Sequence, residues 1–244
     1  MKKIIFFMLI NLFLIFRINS NAYGFGLSFN YGSRPSAGKY GKIIEDNGGV
    51  FIGEDNNEVY LTYDCGYENG YTGQILDSLK ETNTKAIFFI TGHYLSSATD
   101  LVKRMVEEGH LIGNHTYSHK DFTKSSDDEI ISDLKKLEED FKEKIGTSMS
   151  KYVRPPRGDF DERSLKLLMN NGYKSVFWSL AYVDWNKDVY NGNNYSYNQV
   201  MKKIHNGAII LMHTVSKDNA EDMSKIINKL KNDGYIFKTI DNVI

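Results

Sequence analysis

His115-Thr116-Tyr117-Ser118-His119 sets two imidazoles four residues apart. On a turn of helix that spacing puts both rings on one face, where each can offer a neutral ring nitrogen to a single metal ion. Two hydrogen-bonded histidines with no metal between them are the ordinary alternative, and the pair alone does not separate the two readings. Asp64 closes the apolar run Val59-Tyr60-Leu61-Thr62-Tyr63. It reads either as a capping or turn-forming carboxylate or as a general base drawing a proton from activated water. His213 closes a similar run, Ala208-Ile209-Ile210-Leu211-Met212. An imidazole there suits a general acid, with a structural histidine as the plainer reading.

Arg154-Pro155-Pro156-Arg157-Gly158 has consecutive prolines that hold the backbone extended, so both guanidiniums point in definite directions. A rigid surface turn would look the same. Asp184-Trp185 joins a carboxylate able to orient an imidazole to an indole able to pack on a sugar ring, although a core Trp beside a surface Asp is equally common. Cys65 is the one cysteine, so no internal disulfide is available. Its thiol is either a buried filler or a chemical group.

These residues need a scaffold that gathers them. Short β-branched or aromatic runs predict strands over Val59–Tyr63, Ala86–Ile90, His110–Gly113, Tyr152–Arg154, Ser175–Trp178, Ala208–Met212 and Tyr235–Lys238. Apolar spacing predicts helices over Thr72–Glu81, Leu101–Glu108, Asp127–Ile145, Ser164–Asn170 and Met223–Leu230. Strand and helix alternate, which implies a mostly parallel sheet covered by helices. The expected fold is α/β, a distorted barrel of seven (β/α) units, with an open doubly wound sheet as the alternative. In such a barrel the C-terminal strand ends share one mouth, and the candidate residues fall just after predicted strands. Residues 23–57 are Gly- and Asn-rich and read as a lead-in wrapping the domain at 58–244.

Lys2 and Lys3 precede the apolar stretch Ile4–Phe16, and Ser20-Asn21-Ala22 supplies small residues for cleavage. Residues 1–22 therefore read as a signal peptide, with a retained anchor as the alternative, and the chain as exported. Hydrophobic residues at 41% are ample for a core, and a net charge of −1 without a basic stripe argues against nucleic acid as a partner.

Thr62-Tyr63-Asp64, His115-x-x-x-His119, Arg154-Pro155-Pro156, Asp184-Trp185 and Leu211-Met212-His213 resemble, in order, the five motifs of NodB-type polysaccharide deacetylases, carbohydrate esterase family 4. Asp64 through Tyr71, Gly113-Asn114-His115, Val183-Asp184-Trp185 and His213 through Ala220 further resemble the muramic δ-lactam-forming de-N-acetylases of spore-forming bacteria, as does Arg34 through Lys39. The resemblance implies a metal-dependent hydrolase acting on N-acetylmuramic acid in the peptidoglycan glycan strand, with closure to the δ-lactam of spore cortex. It makes Asp64 the base, His115 and His119 ligands of a divalent ion, expected to be Zn²⁺, and His213 the acid. Asp184 becomes the partner that orients His213, and Arg154 the partner of Asp64.

An N-acetylmuramoyl-L-alanine amidase would act earlier, and the expected location is the cell wall or the space around the forespore. Arg157 and Trp185 are expected to bind substrate, Arg157 by gripping the lactyl carboxylate that distinguishes muramic acid from glucosamine. The wider family usually has a second Asp after the base as the third metal ligand, where this chain has Cys65. Cys65 is thus a candidate ligand through its thiolate, or a filler beside a two-histidine site completed by water. Rival readings are a glucosamine-directed deacetylase of peptidoglycan or chitin and a glycan-binding pseudoenzyme.

Overall fold

The computed structural model describes residues 22–27 and 33–243. The expected signal peptide over residues 1–22 lies, apart from Ala22, outside the described residues. In chain order the elements are β1 (Tyr23–Gly24), α1 (Gly38–Asp46), β2 (Glu58–Cys65), α2 (Thr72–Glu81), β3 (Ile87–Ile90), α3 (Gly92–Ser97), α4 (Thr99–Glu107), β4 (Leu111–Asn114) and α5 (Asp127–Ile145). They continue with β5 (Tyr152–Val153), β6 (Asp159–Phe160), α6 (Glu162–Asn170), β7 (Lys174–Ser175), α7 (Tyr195–Lys203), β8 (Ile209–His213), α8 (Lys217–Asn232) and β9 (Ile236–Lys238).

Seven strands form a parallel sheet in the order β7-β5-β4-β3-β2-β8, with β9 also paired to β2. The sheet curls until its ends approach. The backbone after β7 reaches β8 through a single parallel pairing of Leu180 with Ile210, supported by Leu211 N donating to the Leu180 carbonyl at 2.9 Å. Val50 pairs with Val176 beside this seam, and the Gly53 amide donates to the Gly207 carbonyl. The lead-in supplies Val50 and Gly53 to this seam, and it contributes a helix, α1, that the polar sequence did not announce. The expected strand Ser175–Trp178 shrinks to β7 because its second half carries only these isolated pairings.

Strand alternation divides the core in two. Val59, Leu61, Tyr63 and Cys65 of β2 pack outward in one apolar layer with Ile75, Leu76 and Leu79 of α2 and Ile226 and Ile227 of α8. Tyr60 of β2, Ile87 and Phe89 of β3 and Ile209 and Leu211 of β8 belong to a separate inner layer. A β-carbon on Gly113 of β4 would stand 2.5 Å from the Phe89 ring, so a glycine there lets that ring fill the barrel. The outer helices carry clear local signals. Ser126 and Glu129 form a capping box on α5, Gly146 ends it in the left-handed conformation, and Ile130, Leu134, Leu137 and Phe141 form its buried stripe.

Helix α8 begins six residues before the expected start at Met223, because Asp218, Asn219 and Asp222 in its polar first turns are buried and hydrogen-bonded. Helix α7 follows the Asn-rich run 191–194 and hides only Ser196 and Val200, too thin a stripe to read from spacing.

Candidate active site

Asp64 at the end of β2 pairs in parallel register with His213 at the end of β8. Register partners on adjacent strands project to the same side, so the two side chains enter one mouth about 5 Å apart at the backbone. Arg154, just past β5, lies fully buried beneath them. Its Nη1 donates to Asp64 Oδ1 at 2.8 Å, while Nε and Nη2 donate to the carbonyls of Val176 and Phe177, each at 3.0 Å. Its guanidinium also stacks over Phe89 at 4.3 Å. Burial opposes ionisation of Asp64, but the Arg154 charge, aided by the nearby imidazoles, outweighs it and holds the carboxyl below its ordinary value.

His115 and His119 lie in the loop after β4, with ring centroids 5.1 Å apart. The expected helical turn is absent: Thr116 and His119 both take positive φ, 65° and 55°. Side chains compensate for this strain. Asn114 Oδ1 accepts from the Thr116 amide at 2.8 Å, while Asn114 Nδ2 donates to the Leu134 carbonyl of α5. Asp133 of α5 accepts from the amides of Tyr117 and Ser118 at 2.6 and 3.1 Å, and from the Ser118 hydroxyl at 2.6 Å. The loop is thus clamped to α5, and strain of this kind concentrates where function demands it.

His115 Nδ1 lies 2.9 Å from the Arg154 carbonyl, which can only accept, so Nδ1 carries the proton and Nε2 keeps a free lone pair. That Nε2 faces Asp64 Oδ2 across 3.6 Å. Two acceptors facing one another need a positive group between them. Burial pushes His115 down to about 4, and burial together with the Arg157 charge lowers His119, so both rings are neutral near pH 7. The donor chemistry therefore fits a divalent cation at His115 and His119, with Asp64 as the nearest carboxylate. Among the described residues no three His, Cys, Asp or Glu side chains converge as a complete cage.

Cys65 corrects an expectation. It follows Asp64 on the same strand, so it projects to the opposite face, fully buried in the outer apolar layer. Burial pushes its thiol well above the usual range, outweighing the opposing effect of the neighbouring Thr214 hydroxyl. Neither its direction nor its protonation suits a thiolate ligand in the cleft.

His213 behaves oppositely to the other two imidazoles. Its Nδ1 donates to Asp184 Oδ1 at 2.7 Å, and its backbone N–H donates to Asp184 Oδ2 at 2.8 Å. Burial disfavours its charged form, yet Asp184 more than offsets this and raises its pKa. Sequence reasoning missed one member of this group, Asn219, whose Nδ2 donates to Asp184 Oδ2 at 2.7 Å. A buried Asn in a helix's first turn signals such a role only once burial is known.

Asp64, His115, His119 and His213 line one cleft of about 620 Å³. Phe25 from the lead-in, Trp178 and Leu211 supply an apolar floor, and Tyr67 and Trp185 stand exposed at its lip. Trp185 approaches the His213 ring edge-on at 6.0 Å. Arg157 lines the same cleft with its side chain half exposed, held at 3.0 Å by Asp121 and at 3.0 Å by Asp159. The structure thus gathers every expected site residue except Cys65, with Arg154 and Asp184 beneath the cleft as supports.

A family model described as polysaccharide deacetylase matches residues 53–176. The chain is 43% identical over 224 residues to the peptidoglycan-N-acetylmuramic acid deacetylase PdaA of Bacillus subtilis, covering 91% of this chain and 85% of that protein. It is 36% identical over 205 residues to a peptidoglycan-N-acetylglucosamine deacetylase of Bacillus cereus, covering 82% and 73% respectively. The solved structure of Bacillus subtilis PdaA, described as a family 4 carbohydrate esterase, superposes with a TM-score of 0.88 at 41% identity, over 91% of this chain and 97% of that one.

Proposed function

The chain belongs to the polysaccharide deacetylase family, and we propose that it hydrolyses the N-acetyl group of N-acetylmuramic acid in peptidoglycan strands already stripped of their stem peptide. The observation that carries the chemistry is the pairing of a carboxylate biased toward its ionised form, Asp64, with an imidazole biased toward its protonated form, His213, on adjacent strand ends. A divalent cation, with zinc the expected one, held by His115 and His119 beside Asp64 supplies polarisation of the acetyl carbonyl and a more acidic attacking water when bound.

The chain's own residues do the rest. Asp64 accepts a proton from water as its oxygen adds to the acetyl carbon, and Arg154 keeps Asp64 ionised for that step. His213 gives its proton to the nitrogen as the C–N bond breaks, releasing acetate and a free amine. Asp184 keeps the imidazole aimed and charged. The freed amine and the lactyl carboxyl of the same sugar then condense, with loss of one water, to the six-membered δ-lactam.

Muramic acid is favoured over glucosamine by Arg157, a cleft guanidinium suited to a free lactyl carboxylate. That carboxylate exists only after an N-acetylmuramoyl-L-alanine amidase has acted, which places the enzyme after such an activity. Lys2, Lys3 and the apolar stretch Ile4–Phe16 support export, which would bring the enzyme to its glycan substrate. The test is acetate release and muropeptide composition after incubation with peptidoglycan, with and without prior amidase treatment. Acetate from amidase-treated glycan alone is the expected result, and equal release from both sinks the muramic reading. Asp64→Asn and His213→Ala should each lower turnover by about 10²–10⁴-fold. Near-native turnover in both variants would remove the assignment of base and acid.

A further inference from the structure

Asn219 is the third residue of α8, and its amide donates to the hydroxyl of the cap residue Ser216 at 3.2 Å. Its side chain is fully buried and engaged at both ends. Nδ2 donates to Asp184 Oδ2 at 2.7 Å and to the His213 carbonyl at 3.0 Å. Oδ1 accepts from the Tyr182 hydroxyl at 2.7 Å and from the Ser196 hydroxyl at 2.6 Å. Asp184 Oδ2 and the His213 carbonyl can only accept, so the amide has one orientation, and turning it over would set acceptor against acceptor in a buried site.

One amide thus ties together the backbone of His213, the carboxylate that orients its ring, a hydroxyl of α7 (Ser196) and one of the loop before it (Tyr182). Without Asn219, the His213 backbone N–H is the one remaining donor to Asp184 Oδ2 among the described residues. We propose that Asn219 is the positioning residue of the proton-donating pair, setting the plane of Asp184 so that the His213 ring points its free nitrogen at the departing amine. This role rests on the deacetylase reading above and deepens it.

Leaving-group chemistry separates positioning from mere packing. An amide nitrogen must be protonated to depart, whereas 4-nitrophenolate leaves without a proton. The experiment measures kcat and KM for the wild type, Asn219→Leu and Tyr182→Phe on amidase-treated peptidoglycan and on 4-nitrophenyl acetate. Asn219→Leu is expected to lower kcat on the glycan by about 10- to 100-fold with little change in KM, and to lower ester turnover far less. Equal falls on both substrates overturn the proposal, since loosened packing damages both reactions alike. If Asn219→Leu does not fold, Tyr182→Phe, which removes one hydroxyl at the Asn219 oxygen, decides by the same ratio. A wild-type chain that cleaves the ester and releases no acetate from glycan sinks the deacetylase reading, and this role with it.

Discussion

Asp64 and His213 are register partners on neighbouring parallel strands, yet each is tied to a different buried support, Arg154 under one and Asp184 beside the other. A base and an acid less than a sugar's width apart keep their separate tasks only because those supports push their proton affinities in opposite directions.

The pH profile should show it. His213 is raised above 6.5, with burial opposing and Asp184 prevailing, so its proton-donating form persists through pH 6.5 and is lost as pH rises through its folded value. The stability contributed by this pair is fully present below 6.5 and lost over the same rise. On the acid side, His115 at about 4 sets the point below which its metal-binding nitrogen fills with a proton. Asp184→Asn removes the group that outweighs burial, so the alkaline limb of kcat/KM should move to lower pH. An unmoved limb would assign that limb to another group.

Arg154→Met should strand Asp64. Removing one partner of a buried ion pair costs about 3–5 kcal/mol, well above the value of a surface pair. Asp64 is depressed below 3.8 in the folded chain, so the pair's stabilisation is present above that pH and is lost as pH falls through the folded value. Thermal unfolding of wild type and variant should therefore differ most near neutrality and converge in acid. A constant difference would place the cost in packing against Phe89 instead.

Arg157→Ala should discriminate between sugars. Loss of a charge-assisted contact to carboxylate is worth about 1.5–3 kcal/mol, roughly 10- to 150-fold in kcat/KM, on muramic substrates. Glucosamine oligomers lack the lactyl group and should lose little. Equal losses on both would reduce Arg157 to a clamp on Asp121 and Asp159.

Chelation should abolish turnover, and added Zn²⁺ should restore it. His115→Ala is expected to lose the bound ion in an elemental assay, whereas Cys65→Ala should retain it, at a cost of about 1 kcal/mol in stability from the small cavity. Metal lost with Cys65→Ala would mean that the strand end turns over when loaded.

Much of this site was legible beforehand. Val59–Tyr63 and Ala208–Met212 read as strands, because buried parallel strands are continuous apolar runs, and the polar residue ending each run had to fall at the rim. The apolar spacing within Asp127–Ile145 placed α5 to the residue. By contrast α7 and the first turns of α8 were silent, because α7 buries only Ser196 and Val200 and α8 begins with the buried polar residues Asp218, Asn219 and Asp222, whose partners lie far along the chain. Asn219 is the clearest case: only its four hydrogen bonds explain it.

Chemical identity and strand-end placement were therefore properties of the sequence alone, since both follow from local pattern and from where apolar runs stop. Direction was not. A strand reverses its side chains at every residue, so Asp64 and Cys65, neighbours in sequence, face the cleft and the outer core respectively. The histidine spacing that suits a helix is instead realised in a strained loop clamped by Asp133 and Asn114. Which adjacent group faces the substrate, and which amide holds the acid in place, was decided by long-range packing of α5, α7 and α8 against the strand ends, which local sequence does not encode.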